Sequence, residues 1–418
     1  MKPPLRNEDQ NRDEKNAMYD LRLSEDQLAI RDTVRDFVAQ NVFPVATRPD
    51  RLEPFNVPLA MDLVDAASEL GLRTLALSEE AGGAGADTLT CCIVAEELAA
   101  GDVDLASVLA TTAALGGILF NRLMDDGQRA RFLPAFLEDN RYHLALADRE
   151  ADTDTALGID YYRSSGNTMK VATTAKKNGA GWILNGTKIR VANAPLARLF
   201  AVLVETDARQ GILLVPADTK GVSVREVDRD GGWYVGACGD VTFTDCHVDP
   251  ENMLGPDAVA ALTGPGADFG LPQAQAINLG VGRAAFEAAM EYAGVRIQGG
   301  RRIIEHQAIG AKLADVVVNL ETARNAIWQA AWAADNPDAE TGDNFPPLPR
   351  AKISQVVTAE RIYRATKDSA ECFGAMGVMR DMPLQKYIHV SRVFLHTGDG
   401  TADTRLRIAE SLAGFSRA

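Results

Sequence analysis

The stretch "YAGVRIQGGRRIIEHQAIGAKLADVVVNLETAR", residues 292–324, carries the period that decides the fold. Ile309, Leu313, Val316, Leu320 and Ala323, continued by Ile327 and Ala330, recur at alternating steps of four and three, which lines one side of an α-helix with apolar groups. So long a stripe is that of a bundle helix. A second stripe precedes it at Val281, Ala285, Ala288, Tyr292 and Val295, and the proline-rich "NPDAETGDNFPPLPR" separates both from a third helical region. Residues 256–418 therefore read as a helical domain.

Working toward the N-terminus, the period changes. "GWILNGTKIRVAN" (181–193) sets two β-rich runs about Asn185-Gly186, the pair that favours a two-residue hairpin. "LFAVLVET", "GILLVP", "VSVREV" and "DVTFTDCHV" follow at short intervals, so residues 141–255 read as a small antiparallel β domain. Residues 21–140 return to helical spacing. Ser24, with Glu25 and Asp26 behind it, marks a helix start, and "MDLVDAASELGL", "TCCIVAEELAA" and "ASVLATTAALGGILFNRL" continue the pattern. Residues 1–20 form a polar arm. The fold class is α+β, in the order helical, β, helical.

Composition narrows the function. With 418 residues, 46% apolar and 24% charged, the chain has the make-up of an ordinary globular protein. A formal net charge of −15 argues against a nucleic-acid partner, whose phosphates call for clustered Lys and Arg. No window approaches the run of about 18 uncharged apolar residues that a membrane helix needs. The polar start lacks the apolar core of a signal peptide, so a cytoplasmic protein is expected. Five cysteines without a C-x-x-C pair and five scattered histidines give no metal site. A nucleophilic Cys238–His247 pair would need a thiol of lowered pKa, and a satisfied β-domain histidine is the plainer reading.

"LHTGDGTADTRLR" (395–407) places Asp399 between two glycines and ahead of Thr401. By itself this is either a turn that caps a helix or the seat of a carboxylate base.

Five phrases taken together resemble the acyl-CoA dehydrogenase family, and they occur in that family's order: "GLRTLALSEEAGGAGAD", "LNGTK", "VTFTDCHVDPENMLG", the opening stretch, and "FGAMG". The resemblance implies an N-terminal helical domain, a central β domain and a C-terminal four-helix bundle, assembled as a homo- or hetero-oligomer, commonly a tetramer. It implies FAD held between the β domain and the bundles of neighbouring subunits. The reaction it implies is α,β-dehydrogenation of an acyl thioester, on coenzyme A or a carrier, with electrons passed to an electron-transfer flavoprotein or to oxygen. Asp399 then occupies the place of the base that removes the α-proton, where most members have glutamate. Aspartate is a suitable base in type, but its carboxylate sits about 1.5 Å further back, and misplacement by ~1 Å can cost ~100-fold in rate. At the family's other location for the base stand Gly270 and Leu271, neither a proton acceptor.

The resemblance also assigns Arg296, Gln307, Arg190, Asn193, Gly374, Gly377 and Thr401 to the cofactor and Thr153 and Asp154 to the substrate. It fails at several flavin-facing positions. The Trp-Ile-Thr-Asn segment reads Arg190-Val191-Ala192-Asn193, the Thr-Glu-Pro segment reads Ala147-Asp148-Arg149, a phenylalanine is Gly299, and a glutamine is Glu371. Three readings follow from such losses: a flavin held through Arg296, Gln307 and main-chain amides; a half-site subunit of a heteromeric dehydrogenase; or non-redox elimination or isomerisation on the same fold.

Overall fold

The computed structural model describes residues 22–52, 57–151, 171–179, 181–228, 234–264, 267–337, 348–396 and 400–413. The polar arm lies outside them.

The first helix, α1 (Glu25–Phe37), starts where the sequence places it: Ser24 Oγ accepts from the Gln27 amide, and the Gln27 side chain accepts from the Ser24 amide in return. After a π-turn come α2 (Phe43–Ala46), α3 (Met61–Glu69), α4 (Thr88–Gly101), α5 (Val103–Ile118) and α6 (Asp126–Glu138). Asp87 caps α4, and Asp102 caps α5 through the amides of Asp104 and Leu105. One stretch departs from the expectation on membrane spans. Val103–Leu123 has a mean hydropathy of 1.8 over its best window and is long enough to cross a bilayer, but 72% of that window is buried inside the protein. It is the central core helix, apolar all round because neighbours surround it.

The β layer comprises β1 (His143–Ala147), β2 (Thr174–Asn178), β3 (Gly181–Ala192), β4 (Ala197–Glu205), β5 (Gln210–Pro216), β6 (Val222–Glu226) and β7 (Cys238–Val248), in the order β1-β4-β2-β3-β7-β6 with β5 also on β4. Two sequence expectations are corrected here. The sheet is mixed rather than purely antiparallel, since β1 runs parallel to β4, Leu144 beside Leu199 and Ala147 beside Val202. β1 enters from the N-terminal helices and not through a hairpin, so no tight turn dictates its direction. Asn185-Gly186, moreover, is not a turn: β3 runs through it, and the register against β7 shifts between Leu184 and Gly186. Asn185 instead exchanges hydrogen bonds with Asp245, its Nδ2 donating to Oδ1 at 3.1 Å and its Oδ1 accepting from the Asp245 amide at 2.9 Å. Gly186 holds φ +147°, and a Cβ there would lie 2.5 Å from Thr173 Oγ1. Glycine serves a β-bulge as readily as a hairpin, so the dipeptide did not discriminate. The reversal lies between Asn178 and Gly181.

Short α7 (Ala258–Thr263) leads into the bundle: α8 (Leu271–Val295), α9 (Gln307–Asp335), α10 (Arg350–Glu371), α11 (Leu384–Val393) and α12 (Gly400–Ala413). The α9 stripe is as expected. Leu313, Val316, Leu320, Ala323, Ile327 and Ala330 are buried, and Ile309 is half-buried. The α8 stripe holds at Val281 and Ala285 but ends early, because Val295 is 71% exposed.

The N-terminal helices and the bundle share one core containing Val94 and Leu98 of α4 with Leu279 and Val281 of α8. Their approach is close: a Cβ on Gly280 would stand 2.4 Å from the Glu96 carbonyl. Across this seam Arg283 donates to Glu97 at 2.6 and 2.9 Å and to Glu96 at 3.2 Å, Arg324 reaches Glu96 at 2.7 Å, and Arg35 reaches Glu97 at 2.7 Å. Both glutamates are buried.

Candidate active site

Two groups of residues named from the sequence come to lie on different layers. The first is at one end of the bundle. Arg296 ends α8 and leads into a two-residue ribbon, β8 (Ile297–Gln298) paired with β9 (Arg301–Arg302), after which Gln307 opens α9. The Ile303 amide returns to the Arg296 carbonyl at 2.9 Å, and the His306 ring pairs with the Gln298 carbonyl at 2.9 Å, which fixes the ribbon. Tyr292 stacks on Phe373 with ring centroids 4.3 Å apart, bringing the turn of Gly374 and Gly377 to the same cluster. Arg296 and Gln307 are both exposed. Gly374 adopts φ +57° with open space where a side chain would stand, whereas a Cβ on Gly377 would meet the Ala370 carbonyl at 2.4 Å. Glu371 is neutralised by a short ion pair with Lys312, which holds its carboxyl below the usual range.

The second group belongs to the β layer. At the end of β3 the register against β7 shifts again between Lys188 and Val191, and Arg190 (φ 51°) and Asn193 (φ 61°) take left-handed conformations. The Arg190 amide donates to Asp240 Oδ1 at 2.9 Å, and its residue is exposed. Asn193 is buried. Its Nδ2 donates to the Val108 carbonyl at 3.0 Å and to Thr112 Oγ1 at 3.1 Å, so the side-chain donors clamp β3 to α5. Thr112 Oγ1 in turn pairs with His143 Nδ1 at 3.1 Å. Beneath the end of β1, Lys188 and Glu150 form a buried ion pair at 2.6 Å. Burial opposes the Glu150 charge, but hydrogen bonds from Lys188 and from the Thr173 and Ala172 amides outweigh it and hold the carboxyl low. Asp148 goes the other way, its carboxyl pushed up by burial.

His143 is fully buried, and burial first, then the nearby Arg73 guanidinium, pull its pKa down to about 4. The unfolded chain therefore takes up a proton near pH 6.5 that the folded chain refuses until about pH 4. Stability should fall as pH drops through that window, by on the order of 3 kcal/mol in total from this residue. His143→Gln should flatten the pH dependence of urea unfolding between pH 6.5 and 4, and an unchanged slope would contradict it.

Asp399, Thr153 and Asp154 lie outside the described residues. The flanks of Asp399 are described: the Thr401 amide bonds to the Leu395 carbonyl at 3.1 Å, Gly400 holds φ +65°, and Thr404 Oγ1 donates to the Gly400 carbonyl at 2.6 Å. At the family's second location for the base, Gly270 (φ 71°) precedes α8 and Leu271 begins it. The nearest carboxylate in sequence, Asp268, is tied to Lys352 at 2.7 Å. The Cys238–His247 pairing is excluded by distance along the strand, with Cys238 buried at one end of β7 and His247 exposed at the other. Burial pushes the Cys238 thiol up to about 11, the opposite of activation.

A residue that the sequence reading missed stands in the first turn of α8. Gln273 lines an otherwise apolar cavity between α4, α5 and α8, and its Oε1 is buried without a partner. A polar residue inside an apolar helical turn was the available signal.

Comparison with known proteins agrees with this arrangement. The family models described as acyl-CoA dehydrogenase N-terminal, middle and C-terminal domains match residues 24–140, 163–246 and 272–412. All three domains of that family are matched in one chain, and the chain belongs to the acyl-CoA dehydrogenase family. Among curated relatives, a benzylmalonyl-CoA dehydrogenase of Aromatoleum aromaticum is 29% identical over 94% of this chain and 100% of its own. The short-chain specific acyl-CoA dehydrogenase of Bos taurus mitochondria is 28% identical over 89% of this chain and 86% of its own. The solved butyryl-CoA dehydrogenase of Megasphaera elsdenii superposes with a TM-score of 0.81 at 24% identity, covering 94% of this chain and 100% of that one.

Proposed function

We propose that this protein is an FAD-linked oxidoreductase that dehydrogenates an acyl thioester between its α and β carbons, with Asp399 as the base. The observation that carries this reading is the match of all three family domains in one chain. Bound FAD supplies the acceptor for the β-hydride. The residues present suit it. Arg296 offers an exposed planar guanidinium for a pyrophosphate, Gln307 an exposed amide beside it, and Gly374 an open backbone that a side chain would otherwise cover. Arg190 brings a second guanidinium on the β layer, in place of the family's aromatic ring. Asn193 acts at one remove, holding this strand end onto α5, and Thr401, two residues beyond Asp399 in sequence, bonds back to the Leu395 carbonyl.

Asp399 takes the α-proton from a substrate that its surroundings must keep dry, because a carboxylate is a stronger base away from water. Thr153 and Asp154 are assigned to the substrate, and the acceptor of the electrons is a flavoprotein or oxygen. Assembly into an oligomer is supported by apolar side chains at the Arg296 end of the bundle, where Val295, Ile297 and Val378 are each at least 66% exposed.

The test is the absorption spectrum. Protein purified or reconstituted with FAD should show bound flavin bands that bleach when an accepted acyl-CoA is added without oxygen. Folded protein that takes up no FAD would overturn the reading in favour of a half-site subunit or non-redox chemistry.

A further inference from the structure

The end of β3 holds strained backbone. Arg190 at φ 51° and Asn193 at φ 61° are two of the three residues other than glycine with positive φ among the described residues. Asparagine tolerates the left-handed region, whereas arginine is strained there. Glycine at 190 would relieve that strain, yet an exposed arginine occupies the position. The register against β7 shifts between Lys188 and Val191, so the strand bulges here and re-aims a side chain.

Buried polar side chains pin this bulge on both sides. Before it, the wholly buried Lys188 meets Glu150 at 2.6 Å, and Glu150 also accepts from the amides of Ala172 at 2.6 Å and Thr173 at 2.9 Å. The Ile189 amide bonds to the Arg149 carbonyl at 2.9 Å. Beyond it, Asn193 Nδ2 donates to the Val108 carbonyl and to Thr112 Oγ1. That leaves the Thr112 hydroxyl proton for His143 Nδ1, 3.1 Å away, a bond open to a neutral ring. Thr112 and His143 are wholly buried. Between the two anchors the Arg190 amide is held by Asp240 Oδ1 at 2.9 Å, and the Arg190 side chain faces outward from this frame.

We propose that Asn193, seated on Thr112 and His143, and the buried Lys188–Glu150 pair are positioning residues that hold β3 in this bulge and so present the Arg190 guanidinium to the flavin ring. The inference rests on the FAD reading above and deepens it. Arg190 stands where the family's flavin-facing segment has its aromatic ring, and the threonine of that segment is Ala192. A guanidinium stacks on aromatic faces and also carries charged donors, so one group covers both losses. A long side chain on a backbone fixed in advance gives up less freedom on binding, which is what the two anchors supply.

The test is a double-mutant cycle on FAD binding by the apoprotein, read from quenching of flavin fluorescence and from circular dichroism in the flavin bands, neither of which needs turnover. Arg190→Gln should weaken FAD binding about 10-fold. Thr112→Val, which removes the acceptor for Asn193, should weaken it by a similar factor, and Thr112→Ser should restore it. In the Thr112→Val background Arg190→Gln should cost less than about 2-fold more, because the guanidinium is already misplaced. Lys188→Met with Glu150→Gln exchanges the buried charges for neutral groups, repeats the cycle from the other anchor, and carries the test if Thr112→Val does not fold. An anchor that only stabilises the fold would lower the melting temperature and leave the full effect of Arg190→Gln in place. Effects that multiply to about 100-fold in a folded anchor variant therefore overturn the inference. Native affinity in Arg190→Gln overturns it also and leaves the FAD reading intact. Folded native protein that takes up no FAD overturns this inference and the FAD reading together.

Discussion

Asp399→Asn is expected to lower turnover of an accepted acyl thioester by about 100-fold or more while leaving the melting temperature nearly unchanged. Asparagine is close to isosteric and caps a helix as well as aspartate does, but it cannot take a proton. The described residues on either side are tied by bonds of their own: the Thr401 amide to the Leu395 carbonyl and Thr404 Oγ1 to the Gly400 carbonyl, with Gly400 left-handed. A loss of rate beside an unchanged melting temperature in this variant reports chemistry. Asp399→Glu tests the length of the arm, restoring the reach usual in the family by about 1.5 Å. It should raise activity on unsubstituted chains if the pocket is built to the family's plan, and depress the native reaction if the pocket has adapted to the shorter acid. Steady-state kinetics beside a thermal melt would decide. Full activity in Asp399→Asn with a lowered melting temperature would make the residue a cap and the loop a turn.

The second large effect concerns the seam between the helical domains. Arg283→Met should destabilise the protein by about 3 to 5 kcal/mol, because two buried glutamates lose the cation they share. Burial alone would raise the pKa of Glu97, but hydrogen bonds from Arg283 and Arg35 outweigh it and leave the pKa lowered. The stabilisation that follows from a lowered carboxyl pKa is present above the unfolded value near 4.5 and is lost as pH falls through the folded one. In Arg283→Met the loss should begin at higher pH. Urea unfolding of both proteins at pH 7 and pH 5 measures this, and equal midpoints at pH 7 would rule the account out.

The legibility of the chain follows from the range of the forces that shape it. The α9 stripe and the Ser24 cap depend on neighbours three and four residues away, so both were readable. Asn185-Gly186 was misread because the choice between turn and bulge depends on Thr173 and β7, both outside the local sequence. The parallel partnership of β1 and β4 left no local mark either. Within the site, Arg296, Gln307 and Gly374 could be found by resemblance and do gather at one end of the bundle, with Tyr292 on Phe373 between them. Asn193 was named for the cofactor, and its donors turn inward to α5. Gln273 escaped notice because a glutamine in a helix is unremarked until its surroundings are known to be hydrocarbon.

The apolar helix α5 has a consequence for the birth of the chain. Its cover comes from α4, which precedes it, from α6 and the β sheet, which follow, and from α8, which leaves the ribosome only after the whole β domain has been made. During that interval Val103–Leu123 is a nascent segment with the hydrophobicity of a membrane anchor and only part of its final shelter. Slow synthesis across the β domain would lengthen the exposure, so yield in a heterologous host should depend on translation speed there and on the supply of chaperones that hold apolar helices.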